Sequence, residues 1–387
     1  MRWLWLGLGA LVLAVLGFRY ERPIPPPQAI PRSLPLPEVA LSALPWPPST
    51  EAAVAIPALH WEVAYGPSRP IPIGSLTKMM TTYLLLQRHP LAVGEQGPAL
   101  VANAADAQVW RQDLATQQSV APVFPGMRIT ELEMVQALMV ASANNIAAMV
   151  ARWLAGSPGA FAQVMNQTAG QLGLRHTHYV GPSGLNPGNV STPQDQIRLA
   201  EVAMQNPVFA QAASLSSMAW PAAPHTLFNY NFIVGQDGID GVKTGSTTVA
   251  GASFVFSAPR RLNGLTLTVY GAILGQHPQG SRSQLQLVLS EGRSLLDAVS
   301  ADLRPRLVLR AGDQVGELKY PWGATVPLLA AQDLRLPTLP GLHWTETLSW
   351  QSPQGTLTVS SGSLSAVIPV RAAGSPPPPP IWWRIRR

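Results

Sequence analysis

The 387-residue sequence predicts a mixed α/β (α+β) domain over residues 51–300, followed by a small all-β domain over 303–372. Three patterns carry that expectation. Strand-like and helix-like runs follow one another in the first segment. Two runs, 241–257 and 265–274, are rich in β-branched and small residues and flank a Pro-Arg-Arg-Leu-Asn-Gly turn, which reads as a hairpin. The second segment has only short alternating runs divided by turn residues. In chain order, residues 60–65 alternate like a strand, and 75–87 follow Gly74 as a helix. Thr130 and Glu133 form a capping box ahead of an apolar stripe of Leu132, Val135, Leu138 and Met139. A further helix begins near Asn145. The sequence has no internal repeat.

Composition removes several function classes. At 47% hydrophobic and 12% charged, the chain is not disordered throughout. With no cysteine, disulfides, Cys-ligated zinc, iron–sulfur clusters and thiol nucleophiles are excluded. No cofactor and no metal are expected. His-Glu-x-x-His is absent, and His176 and His178 alternate as on a strand face. The net charge is +6, but no Lys/Arg run interleaved with aromatics marks a nucleic-acid surface inside the globular part. Only Lys78, Lys243 and Lys319 are lysines among 26 basic residues. Arginine covers surface charge equally well, so a retained lysine points to work a guanidinium cannot do, such as releasing a proton near neutrality.

Trp3 to Phe18 is an uncharged apolar run followed by Arg19, Glu21 and Arg22. It predicts a signal anchor or signal peptide over residues 1–22, the uncleaved anchor being favoured because no good small-x-small site follows. The rest of the chain is then exported to the cell envelope. Residues 23–50 are proline-dominated and predict an extended polyproline spacer. The tail, 373–387, places a proline run before Trp382, Trp383, Arg384, Arg386 and Arg387, side chains suited to a membrane interface with anionic headgroups.

Three short motifs carry chemistry. Ser75 and Lys78 lie one helical turn apart on one face. A neutral lysine amine can take the proton of a serine hydroxyl, and both burial and a helix N-terminus favour that neutral form. Ser142 and Asn144 fall where one helix ends and the next begins; they either cap the second helix or relay protons and position substrate. Lys243 and Gly245 share one strand face beside Thr244. A cation there can bind a carboxylate and repel a proton from a nearby lysine, and a bare glycine admits a peptide against the strand.

Taken in this order, Ser-x-x-Lys, Ser-x-Asn and Lys-Thr-Gly resemble the signature set of penicillin-binding proteins and serine β-lactamases. The surroundings GSLTKMMT, PGMRITELEMVQALMVASANN, GLNPGNVSTPQD and DGVKTGSTTVAG resemble the low-molecular-mass D-alanyl-D-alanine carboxypeptidases, serine peptidases S11, over about residues 50–285. The resemblance implies a β-lactamase/transpeptidase-like fold with an antiparallel sheet and a helical subdomain. It also implies a peptidoglycan stem peptide ending in D-Ala-D-Ala as substrate and β-lactams as inhibitors. Ser75, Lys78, Ser142 and Asn144 would be catalytic, and Lys243, Thr244, Gly245 and Ser246 would bind substrate. Two positions depart from the family pattern. Asn145 replaces the usual aspartate, a change expected to affect helix capping, and Ser246 follows Lys-Thr-Gly where histidine is common. The alternatives are a DD-endopeptidase of the same chemistry, a serine β-lactamase and a non-catalytic peptidoglycan-binding module. A class A β-lactamase is disfavoured because no glutamate lies between Glu133 and Glu201.

Overall fold

The computed structural model describes residues 2–386 apart from 35–39, 49, 223–224 and 278–282. The chain forms two compact units, Ala40–Leu303 and a second made of Met1–Val39 with Arg304–Arg387. In the larger unit we label β1 (Glu51–Ile56), β2 (Trp61–Tyr65), α1 (Thr77–Arg88), α2 (Ala104–Ala115), α3 (Glu131–Met139) and α4 (Asn144–Ala155). There follow α5 (Pro158–Gln171), α6 (Pro193–Ala203), α7 (Pro207–Ser214), β3 (Gly241–Thr247), β4 (Gly251–Leu262), β5 (Leu265–Gln276) and α8 (Gln284–Asp302). The five strands form one antiparallel sheet in the order β3-β4-β5-β1-β2.

Helices cover both faces of that sheet. Val255 and Ala272 point into the main core, which they share with Leu76, Met79, Leu138 and Ile146 of the helical layer. The alternate residues Phe254 and Phe256 face the other way, where α8 packs on β4 and β5. Glycine makes room for them: a Cβ on Gly292 would lie 2.7 Å from the Phe254 ring, and one on Gly271 would lie 2.1 Å from Phe256.

The run 241–257, expected as one arm of a hairpin, is two strands broken by a turn at 248–250. The hairpin between β4 and β5 turns on Asn263 and Gly264 alone, both at positive φ (49° and 82°). That is the two-residue turn whose twist matches its strands, and the preceding Pro-Arg-Arg-Leu stays in β4. The capping box at Thr130 and Glu133 forms as expected. His178 makes only an isolated bridge to Val190, so His176 and His178 do not lie on a strand.

In the second unit, six antiparallel strands run in the order Gln28–Pro31, Gln314–Lys319, Thr325–Ala330, Leu364–Ala372, Gln354–Ser361, Thr345–Gln351. The first of these corrects the expected spacer: residues 28–31 are an edge strand rather than a free tether. Proline is tolerated at an edge because no ladder N–H is demanded of it there. Gly316 permits the close approach, since a Cβ would lie 2.5 Å from the Ile30 carbonyl oxygen. Residues 35–39 and 49 of the same stretch lie outside the described residues.

The N-terminal apolar run forms the helix Arg2–Glu21, with Leu6, Leu11, Leu13 and Phe18 exposed. Among the described residues, no helix is long and apolar enough to cross a membrane. The tail forms a short helix, Ile381–Arg386, against the end of the N-terminal one. Arg384 donates to the Tyr20 carbonyl (3.0 Å) and its guanidinium covers the Tyr20 ring, while Arg19 donates to the Ile385 carbonyl (3.3 Å). Arg387 lies outside the described residues.

Candidate active site

Gly74–Leu76 is a single 3-10 turn that leads straight into α1, and it places Ser75 and Lys78 on one face. Lys78 Nζ donates to Ser75 Oγ at 2.8 Å and to the Ser183 carbonyl at 2.7 Å. Lys78 is fully buried. Burial is the main force holding its amine well below the ordinary lysine range; the Lys243 charge pushes the same way, and Asp113 pushes weakly back. Burial likewise lowers Lys243 to about 7. Burial thus favours the neutral amine beside the serine hydroxyl, the form a general base requires.

β3 lies directly against this turn. A Cβ on Gly245 would come within 2.9 Å of Ser75 N and 2.8 Å of the Ile73 carbonyl oxygen, so only glycine admits the contact. Gly74, at φ +52°, in turn approaches Ser246 N. The strand segment 245–246 therefore packs on the 74–75 backbone. Lys243 and Thr244 are buried, and Lys243 Nζ donates to the Thr244 carbonyl at 3.1 Å. Ser246 is exposed and its hydroxyl accepts from Gln284 of α8.

Ser142 lies between α3 and α4 and Asn144 is the first residue of α4; both helices pack on α1. Ser142 takes φ +55°, a left-handed conformation costly for a non-glycine residue, and its buried hydroxyl has no partner. Neither residue caps α4, whose N-cap is Ala143 without a side-chain bond. Asn144 N donates to the Ser119 carbonyl (2.8 Å) and its amide nitrogen to Gln118 Oε1 (3.0 Å). Asn145 does not act in capping either. Its side chain clamps the backbone of Ala121, accepting from its N–H at 3.1 Å and donating to its carbonyl at 2.8 Å.

Four neighbours escaped the sequence reading. Ser183 contributes a backbone carbonyl, which carries no side-chain signature. Gly184, at φ +88°, packs so tightly that a Cβ would fall 1.8 Å from the Gly74 carbonyl oxygen. Gln118 touches Asn144 across 26 residues of chain. Asp113, raised by its own burial, is the carboxyl group whose field reaches Lys78. Among the described residues no cluster of three or more His, Cys, Asp or Glu could hold a metal.

The fold is that of the DD-peptidase and penicillin-binding-protein class. It is similar to penicillin binding protein 5 from Haemophilus influenzae (TM-score 0.59, 19% identity, 86% of this chain and 99% of that one). It is also similar to the Streptomyces K15 DD-transpeptidase (TM-score 0.54, 23% identity, 64% and 95%). The family profile described as Peptidase S11, D-alanyl-D-alanine carboxypeptidase, matches residues 63–273, more than half of the chain, and the chain belongs to that family. Among curated relatives, it is 29% identical over 212 residues to a D-alanyl-D-alanine endopeptidase of Pseudomonas aeruginosa, covering 53% of this chain and 65% of that one. It is 33% identical over 185 residues to the D-alanyl-D-alanine carboxypeptidase DacB2 of Mycobacterium tuberculosis (45% and 60%). The matches thus span 65% and 60% of these two relatives' lengths.

Proposed function

We propose that the protein is a serine-type D-Ala-D-Ala carboxypeptidase acting on peptidoglycan stem peptides. The observation that carries this reading is the 2.8 Å contact between Ser75 Oγ and a fully buried Lys78 amine. Lys78 takes the Ser75 proton as Oγ attacks the carbonyl carbon of the penultimate D-Ala. The N–H groups of Ser75 and Ser246 stabilise the oxyanion, and loss of one such donor costs roughly 10²–10³ in kcat. Ser142 passes a proton to the departing D-Ala amine as the C–N bond breaks, Asn144 positions Lys78 and the substrate, and Lys243 and Thr244 hold the terminal carboxylate against the bare face of Gly245. Water, activated by the same lysine system, then hydrolyses the Ser75 ester. β-Lactams mimic the substrate and stall at the ester.

A DD-endopeptidase reading shares every one of these steps and is favoured by the endopeptidase names among the relatives; it differs only in the leaving amine. We place the enzyme in the cell envelope, held by the exposed apolar N-terminal helix and the Arg/Trp helix docked on it.

Intact-mass analysis after brief penicillin exposure, with Ser75→Ala alongside, tests the chemistry. A long-lived adduct on the parent protein and none on the variant is expected. Adduct on both, or rapid drug turnover without adduct, would sink the reading. Release of free D-Ala from a pentapeptide, against cleavage of a cross-linked dimer, separates the two peptidase readings.

A further inference from the structure

A cavity of about 710 Å³ opens at the end of the sheet where β3 finishes. One wall is Val249 and Ala250, in the turn that follows β3; another is Ile71 and Pro72, just ahead of Ser75. Arg69 and His277 also line it. Beneath them Glu51 is buried, at 5% exposure, and its carboxylate accepts from Ser68 N at 2.7 Å. Gly66, at φ +95°, lets the 66–69 loop close over that carboxylate, because a Cβ would lie 2.8 Å from Glu51 Oε2. Arg69 Nε stands 3.8 Å from Glu51 Oε1, yet the arginine side chain remains 75% exposed. The ion pair therefore draws the guanidinium toward the cavity while leaving most of it open to solvent.

The proposed chemistry fixes the direction in which a substrate must run. Its terminal carboxylate lies at Lys243 and Thr244, and its scissile carbonyl lies at the amides of 75 and 246. Moving upstream along the peptide therefore means moving forward along β3, the antiparallel sense of strand addition. Thr247, one residue or about 3.3 Å beyond Ser246, ends β3, so a peptide extended in that sense passes the turn at 248–250 within two to three residues upstream of the scissile bond.

We propose that this cavity is a subsite for the upstream part of the stem peptide, in which Arg69, set by Glu51, binds a carboxylate of an acidic peptide residue. The inference rests on the acyl-transfer reading above. A guanidinium suits the task because it presents paired donors to a carboxylate and keeps its charge at any working pH. Apolar Ile71, Pro72, Val249 and Leu274 cover the intervening backbone.

The test compares two synthetic peptides ending in D-Ala-D-Ala that carry, three residues upstream of the scissile bond, either a γ-linked glutamyl carboxylate or its amide. The parent enzyme is expected to favour the acid by three- to tenfold in kcat/KM, expressed in KM. Arg69→Ala should bring the ratio close to one, Arg69→Lys should keep part of it, and Arg69→Glu should invert it. Penicillin adduct formation by each variant reports that the active site is folded. A ratio near one in the parent, or one that survives Arg69→Ala, would overturn the subsite while leaving the peptidase intact. D-Ala released from neither peptide would overturn both.

Discussion

At the residue scale the proposed mechanism gives two buried lysines opposite duties: Lys78 would be neutral to accept the Ser75 proton, and Lys243 charged to hold a carboxylate. Burial lowers both, with Lys243 set at about 7. Each ionisation then limits kcat/KM from its own side. Protonation of Lys78 produces the acid limb, and loss of the Lys243 charge above about 7 produces the alkaline limb through a rising KM. Lys243→Arg keeps the cation at all accessible pH, so its alkaline limb should disappear even if its plateau is lower; an alkaline limb unchanged in position would assign that ionisation elsewhere. The serine–lysine pair was legible because a spacing of three is one helical turn. Ser183, Gln118 and Asp113 were not, because contacts across 105 and 26 residues, or through a field alone, leave no local pattern.

Among the elements, α3 carries an unusual charge. Glu131 is its first residue, fully buried, and neither carboxylate oxygen has a partner. The helix dipole favours the ionised form by about 0.3–1 kcal/mol, but desolvation outweighs it and raises the group from 4.5 to about 7. Between those values the folded state holds a proton that the unfolded chain releases. The group's contribution to stability is therefore complete below about 4.5 and is lost as pH rises through about 7. Glu131→Gln should melt with the parent near pH 4.5 and several degrees above it at pH 8, taking about 2–4 °C per kcal/mol for a unit of this size. An offset that is the same at both pH values would show that the carboxyl titrates in the fold just as it does in the unfolded chain. Element order was readable where period and caps agreed, as in the capping box of α3. It was not readable at Gln28–Pro31, where a neighbouring strand recruits a proline-rich segment that has no strand propensity of its own, nor at the 248–250 turn, which composition does not mark.

At the scale of the molecule, the two chain ends belong to one unit and touch, with Arg384 on Tyr20 and Arg19 on Ile385. If they act together at a lipid surface, Arg384→Ala should lower co-sedimentation of the full chain with anionic vesicles several-fold, and added salt should do the same to the parent. Binding unaffected by the variant would assign the interaction to the N-terminal helix alone. The scarcity of lysine has a separate, practical outcome. Lys78 and Lys243 are sealed in the interior while Lys319 is exposed, and there is no thiol. Of the lysines, an amine-reactive dye, resin or cross-linker meets Lys319 alone, in the all-β unit. A single introduced cysteine would be unique, so the protein can be tethered or labelled orthogonally at two chosen points with Ser75 untouched.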